Sequence, residues 1–356
     1  MKDKNLFNYS VFFKYAGFLL IVYSLIAGLL VPLKPGILSI DPIVVDAGRQ
    51  SQLSITGYNT HFKKDEKLKV YLKLIDGSFI ESAVNIVKSP NKLVVAFQIP
   101  PELPIKDKIS EAVLLVNSPI DGSLVKPSAI SLRQGMIPLT TTENGIFIKD
   151  PGPLFQHHGW SFPYRLILEE TIRNTYYHVP LWFAMLVLFA YSVWASWKYL
   201  KTKSAKYDDI VVSTTSMGLL LGVLGLATGA IWAKHTWGQY WSGDIKQNMT
   251  AISLLIYLAF FVLRASLEDM NRKYTLSAVY NIFAFVALIP LIFVIPRLTD
   301  SLHPGNGGNP ALGGEDLDNS MRMVFYPACI GWIFFSLWLS TLLRRVIRLE
   351  RLKLDY

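Results

Sequence analysis

The sequence predicts an all-α polytopic membrane protein of six transmembrane helices, with an inserted extracytoplasmic β-sandwich-like domain. Three observations predict it. Of 356 residues, 51% are hydrophobic and 17% charged, against about 25% charged in soluble domains. Six stretches contain no Asp, Glu, Lys or Arg, and each approaches the roughly 20 apolar residues that a bilayer-spanning helix needs. Between the first and second of them lies a long segment with strand-like patterning and turn signals.

In chain order, the first stretch is 15–33. It starts too far into the chain and is too long for a signal-peptide core, and Lys34-Pro35-Gly36 follows it rather than an A-x-A site. Lys14 at its edge can snorkel to the surface. Residues 1–33 are therefore read as an N-terminal tail and first helix. Residues 34–150 read as a β domain. The run 68–74 alternates with a period near 2, and 93–99 and 112–116 are short apolar runs. Asp76-Gly77, Asp121-Gly122 and Asn144-Gly145 are tight-turn signals. His61 reads as a surface histidine in a polar loop, and His157-His158 as a surface pair.

Residues 151–177 form a linker, opening with Pro151-Gly152-Pro153, and a juxtamembrane helix expected over 165–177. The remaining spans are expected at 179–197, 210–233, 247–263, 274–296 and 323–343, within a unit covering 178–345. Residues 346–356 read as a basic tail.

Orientation follows from the positive-inside rule. Lys2, Lys4 and Lys14 precede the first span, and Lys198, Lys201, Lys203 and Lys206 join the second to the third. Arg264, Arg272 and Lys273 join the fourth to the fifth, and Arg344, Arg345, Arg348, Arg351 and Lys353 follow the sixth. All four segments are assigned to the cytoplasm, which puts both termini there and the β domain outside. The net charge of +9 is then a topology signal, and no nucleic-acid partner is expected.

Several classes are disfavoured. One cysteine, Cys329, leaves no disulfide framework or CxxC site, and its apolar neighbours mark it as packing. No G-x-x-x-x-G-K-[ST] P-loop is present. The span cores hold no carboxylate, so the usual signature of ion-coupled transport is missing.

The chemistry gathers on the outer side. Trp232, Trp237, Tyr240 and Trp241 fall within ten residues. Such rings suit either an aromatic belt at the bilayer surface or a flat platform for a planar apolar ligand. His178 stands where the second span leaves the outer surface, and His303 follows the fifth. Two imidazoles beside an aromatic wall suit a bis-histidine haem iron.

These residues resemble the tryptophan-rich WWD signature of haem-handling proteins, most closely the cytochrome c maturation protein C (CcmC) or haem exporter protein C family. The matching residues are Thr228-Gly229-Ala230-Ile231-Trp232-Ala233, Trp237-Gly238, Trp241 and Asp244. Arg173 to Pro180 resembles the family's first histidine motif, and Leu302-His303 its second. Tyr240 and Gly243 stand where the family usually has Trp, His235 replaces a usual Pro, and Pro304 replaces Gln.

The resemblance covers about 12–33 and 155–345 and leaves the β domain unexplained. It implies haem held by His178 and His303 as iron ligands, with Trp232, Trp237, Gly238, Tyr240 and Trp241 around it. Arg173 and Lys246 would serve the propionates, Lys234 and Arg297 being weaker candidates, and Asp244 would anchor the loop. His235 reads as a loop residue and is the next candidate ligand. The resemblance further implies delivery of haem to a periplasmic haem chaperone (CcmE-like) alongside ABC transporter subunits (CcmA/CcmB-like) in the bacterial inner membrane. It implies a delivery protein rather than an enzyme.

The nearest rival is the haem-handling subunit of a CcsA-type cytochrome c synthetase, which shares the signature but usually has more spans. A membrane-anchored β-domain binding module would explain 34–150 but not the outer loops.

Reporter fusions at Lys203 and Lys273 should read cytoplasmic, and one at Gly122 external. A cytoplasmic reading at Gly122 would move both histidines to the other side.

Overall fold

A computed structural model describes residues 2–104, 107–134, 147–303 and 317–354. The chain divides into two compact units, Val31–Glu169 and the combination of Met1–Leu30 with Glu170–Tyr356.

The first unit is built of β-strands, so "all-α" is corrected for the chain as a whole. The strands are β1 (Gly36–Asp41), β2 (Val44–Asp46), β3 (Gln50–Tyr58), β4 (Lys69–Lys73), β5 (Phe79–Glu81), β6 (Val84–Ser89), β7 (Lys92–Gln98), β8 (Ile109–Ser118), β9 (Gly122–Arg133) and β10 (Phe147–Ile148). One sheet has the order β1-β3-β7-β6 and the other β10-β5-β4-β8-β9-β2. Leu53, Ile55, Val95 and Phe97 from the first share a single buried cluster with Val70, Leu72, Leu114 and Ile130 from the second.

The alternation over 68–74 is observed, with Leu68, Val70, Leu72 and Leu74 in the main core and Lys69 and Lys73 exposed, but Tyr71 is buried on the other face. β4 lies inside its sheet, and its second face is covered by a smaller cluster of Tyr71, Phe79 and Leu115. Asp76-Gly77 and Asp121-Gly122 form the expected turns, with both glycines at positive φ. Asn144-Gly145 lies outside the described residues. His61 is not isolated: its Nδ1 lies 2.8 Å from Oδ1 of Asp121. The unit's two ends are tied together, since Lys34 N–H donates to the Phe162 carbonyl and Phe162 N–H to that of Pro32.

The second unit contains α1 (Lys2–Leu30), α2 (Val179–Thr202), α3 (Ala205–Trp237), α4 (Ile245–Ala265), α5 (Met270–Ile289) and α6 (Asn319–Leu354). Among the described residues, six helical segments are long and apolar enough to cross a membrane. Three boundaries depart from expectation. The element before α2 is a 3-10 helix over Glu169–Tyr176, not a helix from 165. The fifth span ends in a π-helical turn, Pro290–Val294, and a 3-10 turn, Ile295–Arg297. Prolines 290 and 296 supply no N–H and break the regular ladder there. α6 continues through the expected tail to Leu354.

Several polar groups inside the bundle are satisfied by one another, while the Tyr257 and Ser277 hydroxyls are buried without a hydrogen-bond partner among the described residues. Asn281 on α5 donates to Ser192 and Ser196 on α2, at 2.7 and 2.9 Å. The α3 carboxylates Asp208 and Asp209 are each held by two hydrogen bonds from an arginine, Arg264 and Arg351 respectively. α1 and α6 approach closely, since a Cβ on Gly17 would sit 2.6 Å from the Phe335 backbone nitrogen. Small residues and interhelical hydrogen bonds are the usual means of joining helices in an apolar solvent.

Candidate functional site

His178 and His303 line one cavity of about 200 Å³ near the start of α2. Trp182, Trp241, Lys246 and Gln247 also line it, and so do Ile292 and Pro296 from the irregular end of the fifth span. Neither Trp182 nor the broken helix end was expected from the sequence. The spacing of Trp182 four residues after His178 does put both on one helix face.

Glycines on α3 make room for the first histidine. A Cβ at Gly229 would meet His178 Cε1 at 2.8 Å, and one at Gly225 would meet the Trp182 ring at 2.6 Å. The Thr228 hydroxyl lies 2.9 and 3.0 Å from the helix carbonyls of Leu224 and Gly225 and donates there. Its oxygen therefore accepts from His178 Nδ1 at 3.0 Å. The proton is thus assigned to Nδ1, which leaves a lone pair on Nε2. Trp182 Nε1–H, a donor only, points to that Nε2 at 3.0 Å.

Asp244 fixes the second histidine. It is the N-cap of α4 and accepts from Lys246 N–H at 2.9 Å. It also accepts from Leu302 N–H and from His303 Nδ1, both at 2.8 Å. An ionised carboxylate only accepts, so His303 also carries its proton on Nδ1 and keeps Nε2 open. Burial would raise the Asp244 carboxyl, but hydrogen bonds from Leu302, Ser301 and the Lys246 N–H hold it below its ordinary value. Burial pushes the His303 imidazole below its ordinary value, against the pull of Asp244.

The aromatic residues divide into two groups. Trp232 and Trp237 lie on the last turns of α3, not in a loop. They pack edge to face at 4.9 Å, and Trp237 meets the His303 ring at 4.7 Å. Both wall His303 from behind and are not among the cavity's lining residues. Tyr240 and Trp241 lie in the loop after α3 and are exposed, at 60% and 44%. Gly238 caps α3 in the left-handed region, φ 83°, and Gly243 has φ 76°. A Trp at 243, as in the family pattern, would be strained in this backbone. Gln247 accepts from Ser242 N–H, and Trp241 Nε1–H donates to Asn248 at 3.0 Å, so α4 holds the loop.

The expected cations separate. Lys246 lines the cavity. Arg173 does not; it donates to the Gly28 carbonyl at 2.7 Å and pairs with Glu170. Lys234 donates to the Gly238 carbonyl. His235 is exposed on the last turn of α3, away from the lining. Among the described residues no cluster of three metal-ligating side chains occurs.

The family model described as Heme exporter protein C matches residues 161–354, just over half of the chain. A curated Heme exporter protein C from Bradyrhizobium diazoefficiens is 28% identical over 185 residues, covering 50% of this chain and 68% of that protein. Cytochrome c biogenesis protein CcsA from a strain of Prochlorococcus marinus is 35% identical over 82 residues, 23% of this chain and 26% of its own length. CcsA from a strain of Synechococcus is 35% identical over 77 residues, 22% of this chain and 25% of its own length. The chain thus spans about a quarter of these CcsA relatives.

The lowered His303 value sets a pH dependence. The unfolded chain takes up this proton first, at about pH 6.5. The stability contributed by the neutral imidazole is therefore complete above that pH and is lost as pH falls through the lower folded value. The difference in thermal midpoint between wild type and His303→Ala, both without ligand, should be constant from pH 8 to about 6.5 and should then change in favour of the variant. A difference that stays flat to pH 5 contradicts the buried neutral histidine.

Proposed function

Because the chain belongs to the haem exporter protein C family and is a haem-handling membrane protein of cytochrome c biogenesis, we propose that His178 and His303 hold the haem iron through Nε2. The observation that carries this reading is the pair of histidines on one cavity, each with its proton fixed on Nδ1 by a partner, Thr228 or Asp244. A neutral imidazole with an outer-shell acceptor on the far nitrogen is the form that ligates metal.

The cavity's volume of about 200 Å³ is below the roughly 300–1,000 Å³ of ordinary small-molecule sites. It accommodates the iron and one edge of the macrocycle, and the exposed Tyr240 and Trp241 offer rings to the remainder. Lys246, on the lining, is the cation for a propionate. Trp232 and Trp237 act through His303 by restricting its ring. Arg173 braces the chain around Gly28 and is set aside as a propionate partner. The β domain, read as a sandwich, lies on the outer, periplasmic face of the bacterial inner membrane with both termini inside. The ligand passes to a periplasmic chaperone, with ABC transporter subunits as partners.

The CcsA relatives support a second reading, a haem-handling part of a cytochrome c synthetase. Incubating the haem-loaded protein with a CxxCH peptide separates the two, since thioether formation belongs only to the second.

The indole of Trp182 occupies the lone pair that iron requires. Trp182→Phe keeps a ring against Gly225 and removes the N–H. Losing a competing hydrogen bond of about 0.5–1.5 kcal/mol should strengthen haem binding about 2- to 12-fold in a titration of the purified protein. His178→Ala and His303→Ala should weaken it, with partial rescue by added imidazole. Wild-type binding in both alanine variants would remove the ligand assignment.

A further inference from the structure

A second and larger cavity, about 1,010 Å³, lies at the other end of the bundle, where α2 ends and α3 begins. Its walls come from α1, α2, α3 and α6. At one side stand Lys206, Arg344, Arg345 and Arg348. Among the described residues none of these four forms a salt bridge. The one carboxylate on the wall, Asp209, is 4% exposed and taken in two hydrogen bonds by Arg351. Four cations therefore face a cavity whose only anion among the described residues is already neutralised. Arg344 and Arg348, four residues apart on one helix face, repel each other. The remaining wall carries the apolar Phe13, Val187 and Leu337, interspersed with hydroxyls such as Ser213, Thr214 and Ser340.

We propose that this cavity binds an anionic phospholipid, the arginines taking the phosphate and the apolar residues of the wall the first part of an acyl chain. Guanidinium forks match phosphate oxygens geometrically, and basic pockets between transmembrane helices suit anionic headgroups. The volume is at the top of the small-molecule range, roughly 300–1,000 Å³, and is far more than an inorganic anion fills. Among the described residues the lining holds no histidine, cysteine or methionine, so they offer haem iron no imidazole, thiolate or thioether. The proposal stands independently of the haem site.

The test uses the full chain purified in detergent, with lipid retention read by native mass spectrometry and unfolding by thermal midpoint. Phosphatidylglycerol should bind about tenfold more tightly than phosphatidylcholine, the scale of roughly one charge-assisted hydrogen bond, and should raise the midpoint. The combined Arg344→Gln, Arg345→Gln and Arg348→Gln variant should lose that preference. Val187→Trp, which fills the cavity from an apolar position and keeps every arginine, should also retain less phosphatidylglycerol. It decides the matter if the triple variant does not fold. Equal retention of the two lipids, or unchanged phosphatidylglycerol retention in either variant, overturns the proposal. So does a midpoint shift by inorganic phosphate equal to that by phosphatidylglycerol, which would make this a free-anion site.

Discussion

One carboxylate organises the end of the bundle that carries the histidine pair. Asp244 caps α4, accepts the backbone of Leu302 and fixes the Nδ1 proton of His303. The start of α4 and the segment after the fifth span, 58 residues apart, are joined through this group. Its side chain is 1% exposed, so each lost hydrogen bond would leave a buried charge poorly satisfied, which costs far more than losing a surface contact. The position of His303, the seating of Trp237 against it and the entry angle of α4 all depend on that constraint.

The two histidines are held differently, and the difference has chemical meaning. His303 is braced by a charge, which raises the basicity of its free nitrogen. His178 is braced by the neutral hydroxyl of Thr228, and its free nitrogen is covered by Trp182. A ligand arriving at the cavity meets one open and one covered nitrogen. In the proposed haem site, an asymmetric pair of this kind would suit uptake followed by release.

Much of this was legible in the sequence. Charge-free stretches fixed the number of helices, because an apolar solvent excludes ionised side chains. Asp76-Gly77 and Asp121-Gly122 located their turns through glycine's tolerance of positive φ. His178 and His303 were found by their place at the ends of spans. What was hidden depended on contacts across the fold. The three consecutive buried residues of β4 follow from its inner place in a sheet covered on both faces. Trp237 fell beyond the expected span 210–233 because α3 continues past the apolar stretch to a glycine cap. Arg173 matched a motif by spacing, yet its guanidinium is engaged by Gly28. The pairing of Asp208 and Asp209 with Arg264 and Arg351 was invisible, since each charge looked like loop polarity on its own strand of sequence.

The central claim is that two imidazoles from α2 and from the segment after the fifth span share one iron. Electron paramagnetic resonance of the purified, haem-loaded ferric protein tests it most directly. The account requires a low-spin signal of bis-histidine type. A high-spin signal in the wild-type protein, with one imidazole or none on the iron, would contradict it.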